Sequence, residues 1–537
     1  MTLLFLLSCA TPSGDDSAPP PAAKVVELVP LDAPRLLRRI SIDLRGKVPT
    51  TAELDAVEAD PELVTPYAAT YLEDANFEDR LVSMLAERWH TVMDTYEVNA
   101  VDYAEFTGTD RDGFAHAVGE EPLRLIAHVV ANDLPYTEVV TADYTMAHEL
   151  LARVWPLEYP AGGEGWQEAR YTDGRPAAGV LATNGFYWRY VTNVGNKSRG
   201  RVAAISRLLL CTDMLGRPVA FQRSQALDPE EAIRTEPGCV TCHATVDPMA
   251  ATMFGFWWTI QYNPWEMQNY HPERERLGPE LLQTQPAYYG TPMGGLVDLG
   301  WYLANDARFN QCVAESYSEQ YWRRPSTLED WQTLDDLTTG FEADGLLAGP
   351  LILQVMQTEQ YRAGGFTEAA TEATREREKV ERLITPNMQR LMLEDLADLD
   401  WRQFNYVGLE NDVTGYRVLA GGVDGYSVTS PQERPGLTWE LVNTRFAQAA
   451  AEEVVARDLG AAAPELLTVD PTALPGDAAF DEQLRALHWR LYGVRATDAW
   501  VSSTGALWSA VSALEGVDSA WEAVLEACFR DPLFVSY

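Results

Sequence analysis

Long apolar runs are scarce in this 537-residue chain. Past the first ten residues, no stretch approaches the ~20 consecutive apolar residues that a membrane-crossing helix needs, so a water-facing body, at most tethered to a membrane, is expected. Positive charge is scarce as well. Asp and Glu outnumber Lys and Arg 80 to 41, for a formal net charge of -39, and no basic patch is present to hold phosphate. Nucleic acid and anionic membrane surfaces are therefore excluded as partners. An acidic surface of this kind suits a salty medium, with a basic docking partner as the alternative. Histidine is sparse: His90, His116, His128, His148, His243, His271 and His488 show no metalloprotease or catalytic-triad spacing.

What the chain does hold is Gly-Cys-Val-Thr-Cys-His-Ala-Thr-Val-Asp-Pro-Met over 238–249. Cys239, Cys242 and His243 form a Cys-x-x-Cys-His unit, the spacing used for covalent haem attachment. On a short helix each thiol can add to a haem vinyl group, and the adjacent imidazole can take one axial position on the iron. Zinc binding and a redox disulfide are the alternatives. A zinc site asks for a fourth ligand, and no second Cys-x-x-Cys or His-x-x-x-His pair occurs.

The N-terminus, Met-Thr-Leu-Leu-Phe-Leu-Leu-Ser-Cys-Ala, resembles a bacterial lipoprotein signal in which cleavage leaves a lipid-modified Cys9, although the apolar segment is short and lacks a positive start. Export is expected, to the periplasm, outer membrane or cell surface, with membrane contact only through the lipid. Cys211, Cys312 and Cys528 remain. Cys211 ends the apolar run 203–210 and Cys312 lies in a helical segment, so a Cys211–Cys312 disulfide closing the haem module is expected in an exported protein; two buried free thiols are the alternative.

Apolar periodicity predicts a mostly α, multidomain protein, and the Cys-x-x-Cys-His motif puts a cytochrome c-like haem module within it. The expected divisions are a signal-like segment 1–9, a disordered linker 10–31, a helical domain 32–195, the haem module 196–365, a helical connector 366–383 and a mainly helical C-terminal domain 384–537 with irregular or short β segments. Gly46 and Pro49 are expected to stop a first helix before Thr50 and Glu53 cap the next, and Phe77 to Asp94 to form a long amphipathic one. Residues 135–152 read as helical and 153–175 as irregular. Residues 321–361 and 491–534 read as a weak internal repeat, each tail being helix, turn, helix, helix.

A second axial ligand would decide the iron chemistry, since a thioether raises the potential and closes the iron to substrates. Met293 is the favoured residue. Met253 and Met267 follow, with His271 and His148 as outsiders, and Met249 lies too near His243 to cross the ring. The aromatics after Phe254 would wall the macrocycle or serve as plain core. Electron transfer with an unspecified redox partner is the first reading. A surface binding or structural protein with a degenerate or zinc-holding motif is the second, and a haem enzyme with an open iron the third.

Several stretches resemble a group of planctomycete and myxobacterial exported multidomain proteins of unknown function that carry a c-type cytochrome-like motif. They are 38–50, 77–89, 134–145, 175–183, Ser198-Arg-Gly200, Leu210-Cys211, Cys239 to Pro248 and Phe309-Asn-Gln-Cys312. The resemblance implies an all-helical core, export, haem c at Cys239, Cys242 and His243, and cysteines at the positions of Cys211 and Cys312. The chain departs from the group's pattern at 249–255 and has His148 where Asn is common.

Overall fold

The computed structural model describes residues 27–94, 106, 109–214, 216, 228–256, 269–403, 407–411 and 416–537. Cys9, Trp257, Trp258 and Met267 lie outside them. The fold is mostly α, as the periodicity predicts.

Its organising element is the helix Ala33–Arg45. Asp32 caps it by accepting the N–H of Arg35, Pro34 sits in the first turn, and Gly46 ends it in the left-handed conformation at φ 66°. Thr50 and Glu53 then form the expected capping box on Thr51–Ala59. The first helix is buried on nearly all sides because it lies between two apolar cores. Leu36, Leu37, Ile40 and Leu44 enter one that runs to Tyr361; Ile42 enters the other, built mainly from 383–535. The first core crosses position 195/196 without a break, so the N-terminal helices and the segment carrying the Cys-x-x-Cys-His motif share one interior.

Several details differ from the sequence reading. The helix expected to reach Asp94 ends at Trp89, with His90 in the left-handed conformation. Leu28–Pro30, in the stretch expected to be linker, pairs antiparallel with Ala363–Phe366, and the stretch expected as a helical connector holds one short helix, Glu372–Arg377. Thr145–His148, Trp166–Tyr171 and Leu157–Glu158 form a three-stranded antiparallel sheet where helix and irregular chain were expected. A buried carboxylate explains the strands: Glu121 accepts from Thr145 Oγ1 at 3.1 Å, Tyr171 OH at 2.6 Å and the Gly185 N–H at 2.9 Å. That tertiary demand overrides local propensity. Within 384–537 the described β structure is one small ladder, Arg402–Gln403 with Val407–Gly408, and a single bridge from Ser536 to Leu383.

The two tails have the same order of elements. Ala307–Trp322, Trp331–Ala343, Ala348–Val355 and Glu359–Arg362 form one, and Ala478–Tyr492, Asp498–Glu515, Val517–Arg530 and Pro532–Val535 the other. The expected Cys211–Cys312 disulfide is present with Cα atoms 5.1 Å apart. It joins the end of Arg199–Leu210 to Ala307–Trp322.

Candidate haem-attachment site

Pro237 opens the helix Pro237–Ala250, filling a position whose N–H would have no partner in the helix. Cys239 and Cys242 stand three residues apart on its first turns, and His243 follows; this spacing sets Cys239 beside both on one face. Both cysteines are free and half-buried. Five neighbours fix how the helix sits. It packs against Arg199–Leu210, Pro229–Thr235, Leu277–Leu282, the turn Ala251–Phe256 and the strand Ala287–Tyr288. Gly278 lets Leu277–Leu282 sit close against the turn that follows the helix, since a Cβ there would overlap the backbone carbonyl of Ala251.

His243 keeps 27% of its side chain exposed, and its Nδ1 lies 2.8 Å from Asp247 Oδ1, one turn further along the helix. A carboxylate can only accept, so Nδ1 carries the proton. Nε2 has no hydrogen-bond partner among the described residues. Asp247 is held in turn by Arg199, whose Nε and Nη2 donate to its two oxygens at 2.8 and 2.9 Å. Burial alone would raise the Asp247 carboxyl, but the bonds and charges of His243 and Arg199 outweigh it and hold the group below its usual range. Arg199 also donates to Glu230 at 3.2 and 3.3 Å, and Lys197 meets Glu230 at 3.0 Å. Charges of alternating sign therefore run outward from the imidazole.

The other expected residues are distributed as follows. Met293 comes directly after the strand Thr291–Pro292, which pairs with Ala287–Tyr288 against the motif helix. It is buried, and its N–H donates to Pro286 O at 3.2 Å. Met249 and Met253 are core residues. His148 caps a short helix by accepting the Leu150 N–H at 3.3 Å and meets Trp166 edge-on; His271 Nδ1 lies 3.4 Å from Glu273. Phe254 and Phe256 are fully buried, and Phe256 stacks on Tyr187 at 3.9 Å between centroids. Those two aromatics are core.

Among the described residues, no three His, Cys, Asp or Glu side chains converge to hold a metal ion. Structural zinc wants four protein ligands, whereas haem brings its own ring nitrogens and needs only axial ligands. Two free thiols on one helix face beside an imidazole with a bare Nε2 fit haem c as a donor set. No family model, curated protein or solved structure matches this chain. Donor chemistry on the helix is therefore what carries a functional reading.

Sequence reasoning missed Asp247 and Arg199. Asp247 was legible in principle, four residues after His243 on a helix. Arg199 was not, because nothing in sequence connects positions 199 and 247.

Proposed function

We propose that this chain is an exported c-type haem protein that passes single electrons. The observation that carries the reading is His243: its Nδ1 is tied to Asp247, its Nε2 has no hydrogen-bond partner among the described residues, and the free thiols of Cys239 and Cys242 precede it on the same helix. In attachment, each thiol adds S–H across a vinyl double bond, sulfur to one carbon and hydrogen to the other, so no atom is lost and no oxidant is consumed. When bound, haem c supplies a one-electron ferric/ferrous couple. His243 holds the iron through Nε2, and Asp247 fixes the tautomer and angle of the ring.

Met293 is assigned as the second ligand because the hairpin it follows packs on the motif helix. With ligands from both His243 and Met293 the haem would be kept from substrates, which would favour electron transfer over turnover. The electron donor and acceptor are one-electron carriers that meet an acidic protein, and neither nucleic acid nor a bilayer surface is among the partners. Cys9 is assigned as the lipid anchor at a periplasmic, outer-membrane or cell-surface location.

Expression with a haem c maturation system tests this. The expected product is a red protein whose Soret band survives acid-acetone extraction and whose mass rises by one haem. Cys239→Ala, Cys242→Ala double substitution should leave extractable haem or none. A colourless wild-type protein, or one carrying stoichiometric zinc, overturns the reading.

A further inference from the structure

Asp247 stands where it controls more than the angle of a ring. A carboxylate that accepts the Nδ1 proton makes the imidazole a stronger electron donor at Nε2, and it places a negative charge one ring away from whatever His243 holds. Asp247 is poorly hydrated, with 9% of its side chain exposed, so water screens that charge little. Arg199 acts in the opposite sense. Its guanidinium grips both oxygens of the same carboxylate and is itself 11% exposed. It withdraws charge from the group that pushes on the imidazole. Glu230 and Lys197 repeat the alternation further out, where greater distance from the imidazole weakens their effect.

We propose that Asp247 and Arg199 are an opposed pair of positioning residues that set the reduction potential at His243, Asp247 drawing it down and Arg199 limiting the fall. This rests on the haem reading above and deepens it, since neither residue is an iron ligand and both act through His243. The physical basis is the sign of the charge. A negative group behind the imidazole stabilises the ferric state, which carries one more positive charge, and a positive group behind that carboxylate reverses part of the gain. Such an arrangement differs from one in which the ligand histidine donates to a neutral backbone carbonyl, because a single substitution here changes the charge and leaves the bond in place.

The test is a spectroelectrochemical midpoint potential for the haem-loaded full-length protein and two variants. Asp247→Asn keeps an oxygen for Nδ1 and removes the charge, so the midpoint should rise. Arg199→Gln removes the counter-charge, so it should fall. A tenfold change in the ferric-to-ferrous ratio at fixed potential, ~59 mV for one electron, is the expected scale for Asp247→Asn, with a smaller shift for Arg199→Gln. Shifts of the same sign, or no shift in either variant, overturn the proposal while covalent haem in the wild type leaves the haem reading intact. Absence of haem in the wild type overturns both. Should Asp247→Asn fail to accumulate haem, the sign of the Arg199→Gln shift decides alone, and a rise or no change there counts against the proposal.

Discussion

Arg38 and Arg39, adjacent on one helix, donate in opposite directions. Arg38 binds the carbonyls of Leu491, Phe534 and Ser536 at 2.9 to 3.2 Å, and Arg39 those of Tyr361, Ala363 and Val380 at 2.7 to 2.8 Å. The carbonyls at Tyr361 and Ala363 close the first repeated tail, and those at Phe534 and Ser536 close the second. Asp43 repeats the division, taking the Tyr361 hydroxyl on one oxygen at 2.9 Å and the Tyr537 hydroxyl on the other at 2.7 Å. The first helix is thus a shared clamp for the two tails.

Each arginine should therefore protect its own tail. Replacing either with Met leaves buried carbonyls without a donor, at a cost on the order of 3–5 kcal/mol after the relief of guanidinium desolvation. Hydrogen exchange should quicken at 532–537 in Arg38→Met and at 359–366 in Arg39→Met. Equal quickening of both tails in either variant would mean that the two halves are not separately clamped.

The disulfide joins cysteines 101 positions apart, so it removes much freedom from the unfolded chain. Cys211→Ser, Cys312→Ser should lose about 5 kcal/mol by loop entropy, and the wild type should melt at a lower temperature in reductant. The double variant should show no response to reductant. A melting temperature unchanged by either treatment would mean that the bond stabilises nothing.

Helices were legible here because their signals are local. Gly46 and the Thr50–Glu53 box each act within a few residues, and the helices they bound match the apolar spacing. The strands at 145–171 were not legible, because Glu121 organises them from another helix. The same split runs through the site. Cys239, Cys242 and His243 declare themselves by spacing, and Cys211 and Cys312 by their flanking helices. Arg199 reaches Asp247 across 48 positions, and only the packed structure brings them together.

His116 gives the molecule a pH dependence. Nδ1 lies 2.7 Å from Asp94 Oδ1 and Nε2 2.8 Å from Glu120 Oε1, so both ring nitrogens donate and the ring is an imidazolium. Arg417, from the C-terminal half, meets the other oxygen of Asp94 at 3.3 Å, and Arg124 binds Glu120 at 2.8 Å. Burial opposes the charge on His116, but the two carboxylates outweigh it and hold the ring well above the ordinary histidine range. A raised value means the stabilisation is complete below about pH 6.5 and is lost as pH rises through the native value. The melting-temperature gap between wild type and His116→Gln should thus be wide at pH 6 and narrow in alkali. A gap that widens with pH would mean that the ring is neutral in the folded state. Glu120 behaves in the converse way: these partners depress it, so its share is present above about pH 4.5 and fades in acid.

Met293 is the ligand assignment most open to a direct test. Met249 shares a helix with His243 and lies six residues on, so it would stay on the same side of a haem held by that histidine. Met293 comes from a separate hairpin packed against that helix, which allows approach from the other face. Met293→Leu keeps the volume of a buried side chain and should cost under about 1.5 kcal/mol, so the protein should still load haem at Cys239 and Cys242. The weak long-wavelength sulfur-to-iron band should vanish, the midpoint should fall because the thioether no longer favours ferrous iron, and added imidazole should bind the vacated position. A band that persists in Met293→Leu and disappears in Met253→Leu would transfer the ligand to Met253, which is buried in the turn Ala251–Phe256 directly after the helix.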